Sequence, residues 1–269
     1  MKRSNFLLLA LLLCISSSAY SAQGLPFTTS FENGDLSDWF WGNSTNTSVI
    51  NTSQAFEGNY CAQMDFSATQ NWDNYMDYYF GDHVSIGRHT QGQAANELWL
   101  KFSVKYDSQT IPSNKQKLAL INFTNGQDSQ RRYQVIIASY LGEFAIEHSY
   151  IDSWRFFLLP QNVGGAPSPI RPGQWDTLKI YIRNNTPGAS DGIVRMWVNN
   201  ELKTEYTNVN LRESTNFNPN KLIMSNWVDV SMTSQSGALL QDDYYLGEVD
   251  PDAGAPVASP PSPPVLLNN

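Results

Sequence analysis

Apolar and polar positions alternate along much of the chain. In "ELWLKFSVKY", Leu98, Leu100, Phe102 and Val104 fall on one side of a period of two, and Glu97, Trp99, Lys101, Ser103 and Lys105 fall on the other. Successive side chains of an extended strand point to opposite faces, so this stretch predicts a strand with one face buried. "DTLKIYIR" repeats the pattern with Leu178, Ile180 and Ile182 inward, and "GIVRMWVN" with Val194, Met196 and Val198. Between them "NTPGASDG", Asn185 to Gly192, supplies a hairpin turn. Pro187 presets φ there, and Gly188 and Gly192 tolerate positive φ. Further strands are predicted over 48–51, 60–66, 75–80, 117–122, 133–139, 144–151, 222–225 and 243–249. Helical periodicity is nearly absent, and a short turn near 37–40 is the one helical candidate. Many short strands with Gly-, Asn- and Ser-rich loops predict an all-β chain folded as a two-sheet antiparallel sandwich.

The outward positions raise the functional question. Opposite the core set stand Lys179, Tyr181, Arg183, Arg195 and Trp197, a basic and aromatic group in a chain of net charge −8. That charge is uneven: −5 over residues 1–114, +3 over 115–195 and −6 over 196–269. Global acidity argues against nucleic acid or a membrane as partner. A locally basic strip suits a small or polymeric anion, and the alternative is an ordinary solvated strand face.

The N-terminus carries a processing signal. Lys2 and Arg3 precede an apolar run from Phe6 to Ile15, and Ala19-Tyr20-Ser21 follows with small residues suited to cleavage. This predicts a signal peptide over 1–21 and a secreted protein, extracellular or periplasmic. The run is too short to span a bilayer. Cys14 departs with it, leaving Cys61 without a disulfide partner, so stability must come from a large core. Residues 22–250 are expected to form one sandwich domain. Residues 251–269, rich in Pro, Ala and Ser, read as a disordered tail or linker. A monomer is expected.

Several stretches resemble the concanavalin A-like jelly roll of secreted polysaccharide lyases, with alginate, heparin and ulvan lyases among them. "FTTSFENGDLSDW" is similar to the first strand of such folds, "AFEGNYCAQMDF" to the second, and "QDDYYLGEV" to the closing strand. "PGQWDTLKIYIRNNTPGASDGIVRMWVNNEL" resembles their central hairpin. The resemblance implies a concave sheet carrying a sugar groove. Lys179, Tyr181, Arg183, Arg195 and Trp197 would then line it, aromatic rings against sugar rings and cations against carboxylates. It also implies a structural Ca²⁺ between the first and last strands. Glu32 and Asp243 stand at matching places for it, unless they are plain surface carboxylates. No organic cofactor is implied.

A glycoside hydrolase needs two carboxylates at a set separation, and the Glu-x-Asp-x-x-Glu run of jelly-roll glucanases is missing. β-Elimination on a uronic acid polymer instead needs a group that neutralises the carboxylate, a base for the C5 proton and an acid for the leaving oxygen. "RRYQVII" sets Arg132 and Gln134 at i, i+2, and "EFAIEHSY" does the same for His148 and Tyr150. Should the four share a groove with Arg183 and Arg195, they would supply neutraliser, base and acid. Otherwise His148 is an ordinary histidine. Arg88 and His89, in "FGDHVSIGRHTQG", offer a further groove end. The Gln-Ile-His and Tyr-Phe-Lys-x-Gly-x-Tyr runs of many alginate lyases do not occur, so those catalytic residues do not carry over. The leading expectation is a secreted lyase acting on ulvan, alginate or a similar anionic polysaccharide. The rival is a non-catalytic carbohydrate-binding module of the same fold.

Overall fold

The computed structural model describes residues 24–44, 47–65, 74–81, 95–106, 115–126, 131–150, 168–228 and 237–253. Residues 1–21 and the Pro-rich segment from 254 lie outside them. The strands are β1 (Phe27–Thr29), β2 (Trp41–Ser44), β3 (Thr47–Asn51), β4 (Tyr60–Asp65), β5 (Asn74–Tyr79), β6 (Glu97–Tyr106) and β7 (Gln116–Thr124). They continue with β8 (Arg131–Tyr140), β9 (Glu143–Tyr150), β10 (Asp176–Arg183), β11 (Gly192–Val198), β12 (Glu201–Val209), β13 (Asn218–Val228) and β14 (Ala238–Gly247). The stretch at 37–40 is a turn rather than a helix.

Two antiparallel sheets form the sandwich. The larger runs β12-β11-β10-β6-β14-β4-β3 with β1 added beside β14, and the smaller runs β2-β5-β13-β7-β8-β9. The inner faces follow the alternation. Leu98, Leu100, Phe102 and Val104 of β6 meet Leu178, Ile180 and Ile182 of β10 and Val194, Met196 and Val198 of β11, all buried. The smaller sheet contributes Met76, Tyr78, Ile121, Phe123, Val135, Ile137, Leu222 and Met224. Phe27 of β1 stacks on Tyr78 of β5 across the two sheets at 3.8 Å, and Phe102 stacks on Tyr244 within the larger sheet at 4.9 Å.

Asn185 fixes the β10–β11 hairpin. It is fully buried and accepts from the backbone N–H groups of Leu211 and Arg212 at 2.9 Å. Its amide donates to the carbonyls of Thr186, Ala189 and Arg212. The closing strand starts earlier than its sequence suggests and bulges: Asp242 pairs with Ser103, but Tyr245 pairs with Lys101. The extra residue, Asp243, takes φ 51°. After β14 the chain does not trail away at residue 251. Residues 250–253 turn back over the larger sheet, where Asp252 ion-pairs with Lys101 and Lys179.

Candidate functional site

The outward face of the smaller sheet carries residues that would not be buried on an ordinary solvated surface. Four adjacent strands place Tyr79 (β5), Lys221 (β13), Asn122 (β7) and Gln134 (β8) side by side in register. All four are buried. Each has a core residue next to it on its own strand, Tyr78 and Phe80, Leu222, Ile121 and Phe123, and Tyr133 and Val135 respectively, so period two turns it away from the core. Asp77, fully buried, holds the Lys221 ammonium at 2.7 Å and accepts from the Tyr79 hydroxyl at 3.4 Å. The Gln134 amide donates to Asn122 Oδ1 at 2.8 Å, and Asn122 Nδ2 is buried without a hydrogen-bond partner. Below this band lies an apolar patch of Leu120, Ile136 and Ile223. At its edge Glu147 pairs with Lys115 at 2.7 Å, and Lys117 lies over the Trp227 ring at 4.3 Å. Buried polar groups cost free energy unless paired. A band of them on a sheet's non-core face thus marks a site.

The residues singled out from the sequence divide between the sheets. Gln134 lies in the band. Arg132 precedes it by two positions on β8, but its side chain lies outside the described residues, as do Arg88 and His89 altogether. Tyr150 stands in register with Tyr133, and its side chain is likewise outside them. His148 does not join Gln134. It pairs with Val135, stacks on Tyr133 at 5.9 Å and is buried on the core side. Burial lowers its pKa to about 4. The i, i+2 spacing put His148 and Tyr150 at equivalent positions, but the register of β9 against β8 turns His148 inward. A base acting from the band is therefore not His148.

Lys179, Tyr181, Arg183, Arg195 and Trp197 oppose the core set as the alternation requires, but they belong to the larger sheet. They share no groove with Gln134, because the outer faces of a sandwich point in opposite directions. Nor are they bare. Lys179 pairs with Asp250 and Asp252, Arg195 with Glu205, and Arg183 donates to the Asp191 carbonyl of its own hairpin at 3.2 Å. Tyr181 packs on Trp99 at 4.6 Å.

Glu32 and Asp243 meet at one cleft. Thr29 pairs with Tyr244 across β1 and β14, which brings the residues just beyond one strand and within the other to the same end. The cleft, about 570 Å³, is lined by both carboxylates and by Asp38, Glu57 and Lys101 among others. Glu32 accepts from the backbone N–H groups of Asn59 and Tyr60, 3.0 and 2.9 Å away. Gly58 permits this, with φ 68° and no Cβ to run into the Glu32 carboxyl. Hard oxygen donors of this kind suit Ca²⁺. Among the described residues no group of three His, Cys, Asp or Glu gathers closely enough to hold a metal ion. A cation here would therefore lean on Glu32, Asp243, backbone carbonyls and water. Next to Asp243, the buried Asp242 accepts from the N–H groups of Phe56 and Glu57, and burial raises its pKa to about 6. Cys61 is buried too, and burial pushes its thiol up to about 12, far from a reactive thiolate.

Comparison with solved structures shows the fold. The endo-β-1,4-glucuronan lyase of the fungus Trichoderma reesei is 12% identical, covers 82% of this chain and 94% of its own, and superposes with a TM-score of 0.57. Alginate lyase vAL-1 from Chlorella virus is 11% identical over 78% of this chain and 93% of its own, also at 0.57. The marine PL-14 alginate lyase of Aplysia kurodai is 10% identical over 77% and 88%, at 0.54. At such identities the likeness is one of fold, and that fold is the jelly roll of the polysaccharide lyases. The polysaccharide lyase 14 family model matches residues 162–233, a segment that includes β10 to β13. No curated protein matches the chain.

Proposed function

We propose that the protein is a secreted polysaccharide lyase that cleaves a uronic-acid-containing anionic polysaccharide, such as alginate, ulvan or a glucuronan, by β-elimination. The observation that carries this reading is the buried polar band Tyr79–Lys221–Asn122–Gln134 on the outward face of the smaller sheet. Its chemistry matches the three demands of the reaction. Lys221, charged beside Asp77, and the amides of Asn122 and Gln134 bind and neutralise the uronate carboxylate, which makes the C5 proton acidic. Arg132, two positions before Gln134, adds to that role. Tyr79, hydrogen-bonded to Asp77, is the acid–base group. A base takes the proton from C5, the electron pair forms the C4–C5 double bond, the C4–O bond breaks, and the leaving oxygen is protonated. We further propose one Ca²⁺ at the Glu32–Asp243 cleft, where it would serve the fold and take no part in the reaction.

The test is the ultraviolet absorbance of unsaturated ends released from alginate, ulvan and polyglucuronate. Tyr79→Phe is expected to lower turnover by about 10²–10⁴-fold with polymer binding kept, the usual weight of one acid–base group. Gln134→Ala should weaken turnover and binding together, since it removes a contact made in both ground and transition states. Wild-type turnover in Tyr79→Phe overturns the acid–base assignment. A wild type that binds an acidic glycan without releasing unsaturated ends overturns the lyase reading in favour of a binding module.

A further inference from the structure

Lys101 and Lys179 stand directly opposite each other in the register of β6 and β10, on the outward face of the larger sheet. Like charges opposite in a cross-strand pair repel, so this pair needs an anion. Asp252 supplies it, with Oδ1 2.9 Å from Lys101 Nζ and Oδ2 2.9 Å from Lys179 Nζ. Asp250 reaches Lys179 at 3.2 Å. The Lys179 ammonium also lies 5.5 Å from the Trp99 ring and 5.1 Å from the Trp197 ring, and the two indoles stack 5.8 Å apart.

A carboxylate bridging two ammonium groups beside a row of aromatic rings is the arrangement that would recognise a uronic acid. The acid group meets the cations and the apolar sugar face meets the rings. Here the carboxylate belongs to the chain itself. We propose that this face is a second binding surface for a carboxylate-bearing polysaccharide, and that residues 250–252 form a clip occupying its carboxylate position until polymer displaces them. The proposal rests on the polyuronate reading above, but it shares no residue with the catalytic band, which lies on the other sheet.

The clip is lightly held. Among the described residues its other hydrogen bonds are Asp252 N–H to Asp250 Oδ1 at 3.0 Å, Ala253 N–H to the Asp250 carbonyl at 2.9 Å, and the Tyr245 hydroxyl to the Val249 carbonyl at 2.8 Å. The Asp250 and Asp252 side chains keep 30% and 28% of their exposure, so water screens their pairs with the lysines. A polymer that offers many carboxylates at once competes by avidity.

Affinity electrophoresis in gels containing alginate or polyglucuronate tests this, with turnover on short oligouronides read in parallel. The variant Asp250→Asn/Asp252→Asn should be retained about three- to tenfold more tightly, as expected for freeing surface ion pairs, with turnover unchanged. Adding Lys179→Ala should abolish the gain, and carboxyl-reduced polymer should show none. Unchanged retention together with a lower Tm means the clip is a structural tie only and overturns the proposal. Equal retention by dextran sulfate means a nonspecific cationic face and overturns it too. Should the double variant fail to fold, Asp252→Asn alone gives the same comparison. Tighter retention without unsaturated ends from the wild type sinks the lyase reading while this surface stands.

Discussion

His148 and Gln134 lie on neighbouring strands and face opposite ways, and that difference decides what each can do. Alternation says which residues of one strand share a face. It does not say how the next strand registers against it, and a shift of one position exchanges core and surface. The strand face of Gln134 was therefore legible, whereas His148 was legible only as one of two equivalent parities. Tyr79, Lys221 and Asn122 went unremarked because no motif surrounds them. Their signal is polar character on a non-core face that is nonetheless buried, which a linear sequence does not display. The buried imidazole has a measurable consequence. Folded, His148 titrates at about 4; in the unfolded chain it titrates near 6.5. Between those values the unfolded state binds a proton that the folded state refuses, so this contribution to stability falls as pH drops through that window. From pH 7 to pH 5 the loss is about 2 kcal/mol. Asp242, raised to about 6 by burial, works in the opposite sense, because the folded state takes up its proton first. Urea unfolding of wild type and His148→Phe at both pH values isolates the histidine, since Asp242 is common to the two. The wild type should lose about 2 kcal/mol more than the variant over that interval; equal losses would show that His148 is not held neutral in the fold.

At the scale of the element, the strands read most easily were those with one neighbour on each side and one face in the core. β6, β10 and β11 declare themselves by strict alternation, and their registered partners agree to the residue: Leu178 with Val198, Ile180 with Met196, Ile182 with Val194. The two strands not anticipated, β2 and β12, each form one edge of a sheet. "WGNS" carries Gly and Asn, and "ELKTEYTNV" is polar on much of both faces. An edge strand has less to bury and is often charged to discourage further pairing, so the alternating signal fades where the sheet ends. The β10–β11 hairpin offers a direct check. Arg195 and Met196 are neighbours in sequence on opposite faces. Met196 is fully buried among the two sheets, so Met196→Ala should cost about 2–5 kcal/mol through lost contacts and a cavity. Arg195 is partly exposed and holds Glu205 in a surface ion pair, so Arg195→Ala should cost no more than about 1 kcal/mol. Chemical denaturation of the two variants would expose an error in this facing: similar costs are incompatible with it.

For the whole molecule, the unreadable quantity was sheet membership. β8 and β10 both alternate and both carry cations, yet they lie in different sheets, because pairing is settled by contacts between segments far apart in the chain. That separation gives the protein two chemically distinct faces: a buried polar band on the smaller sheet, and a lysine–tryptophan surface under an acidic clip on the larger. The pairing of the first strand with the last is what the jelly-roll resemblance implied. β1 pairs with β14, and the cleft between their connections collects Glu32 and Asp243. A Ca²⁺ held there would tie the first strand's exit to the last strand's bulge, and it would do so only in the folded state, because the two carboxylates are remote in an unfolded chain. A ligand bound by the folded state alone stabilises it by RT ln(1 + [L]/Kd), about 2.7 kcal/mol at a hundredfold excess over Kd. For a domain of this size that corresponds to a rise in Tm of about 5–10 °C. Calcium added to chelator-treated protein should therefore raise Tm by several degrees, with magnesium weaker because it demands a tighter octahedral shell. Glu32→Gln should remove the response. That variant also alters the acceptor for the Asn59 and Tyr60 N–H groups, so its baseline Tm falls for a separate reason, and the decisive quantity is the calcium-dependent shift within each protein. A wild type whose Tm is indifferent to both chelator and calcium would leave Glu32 as a backbone-binding carboxylate and Asp243 as the wall of an acidic cleft.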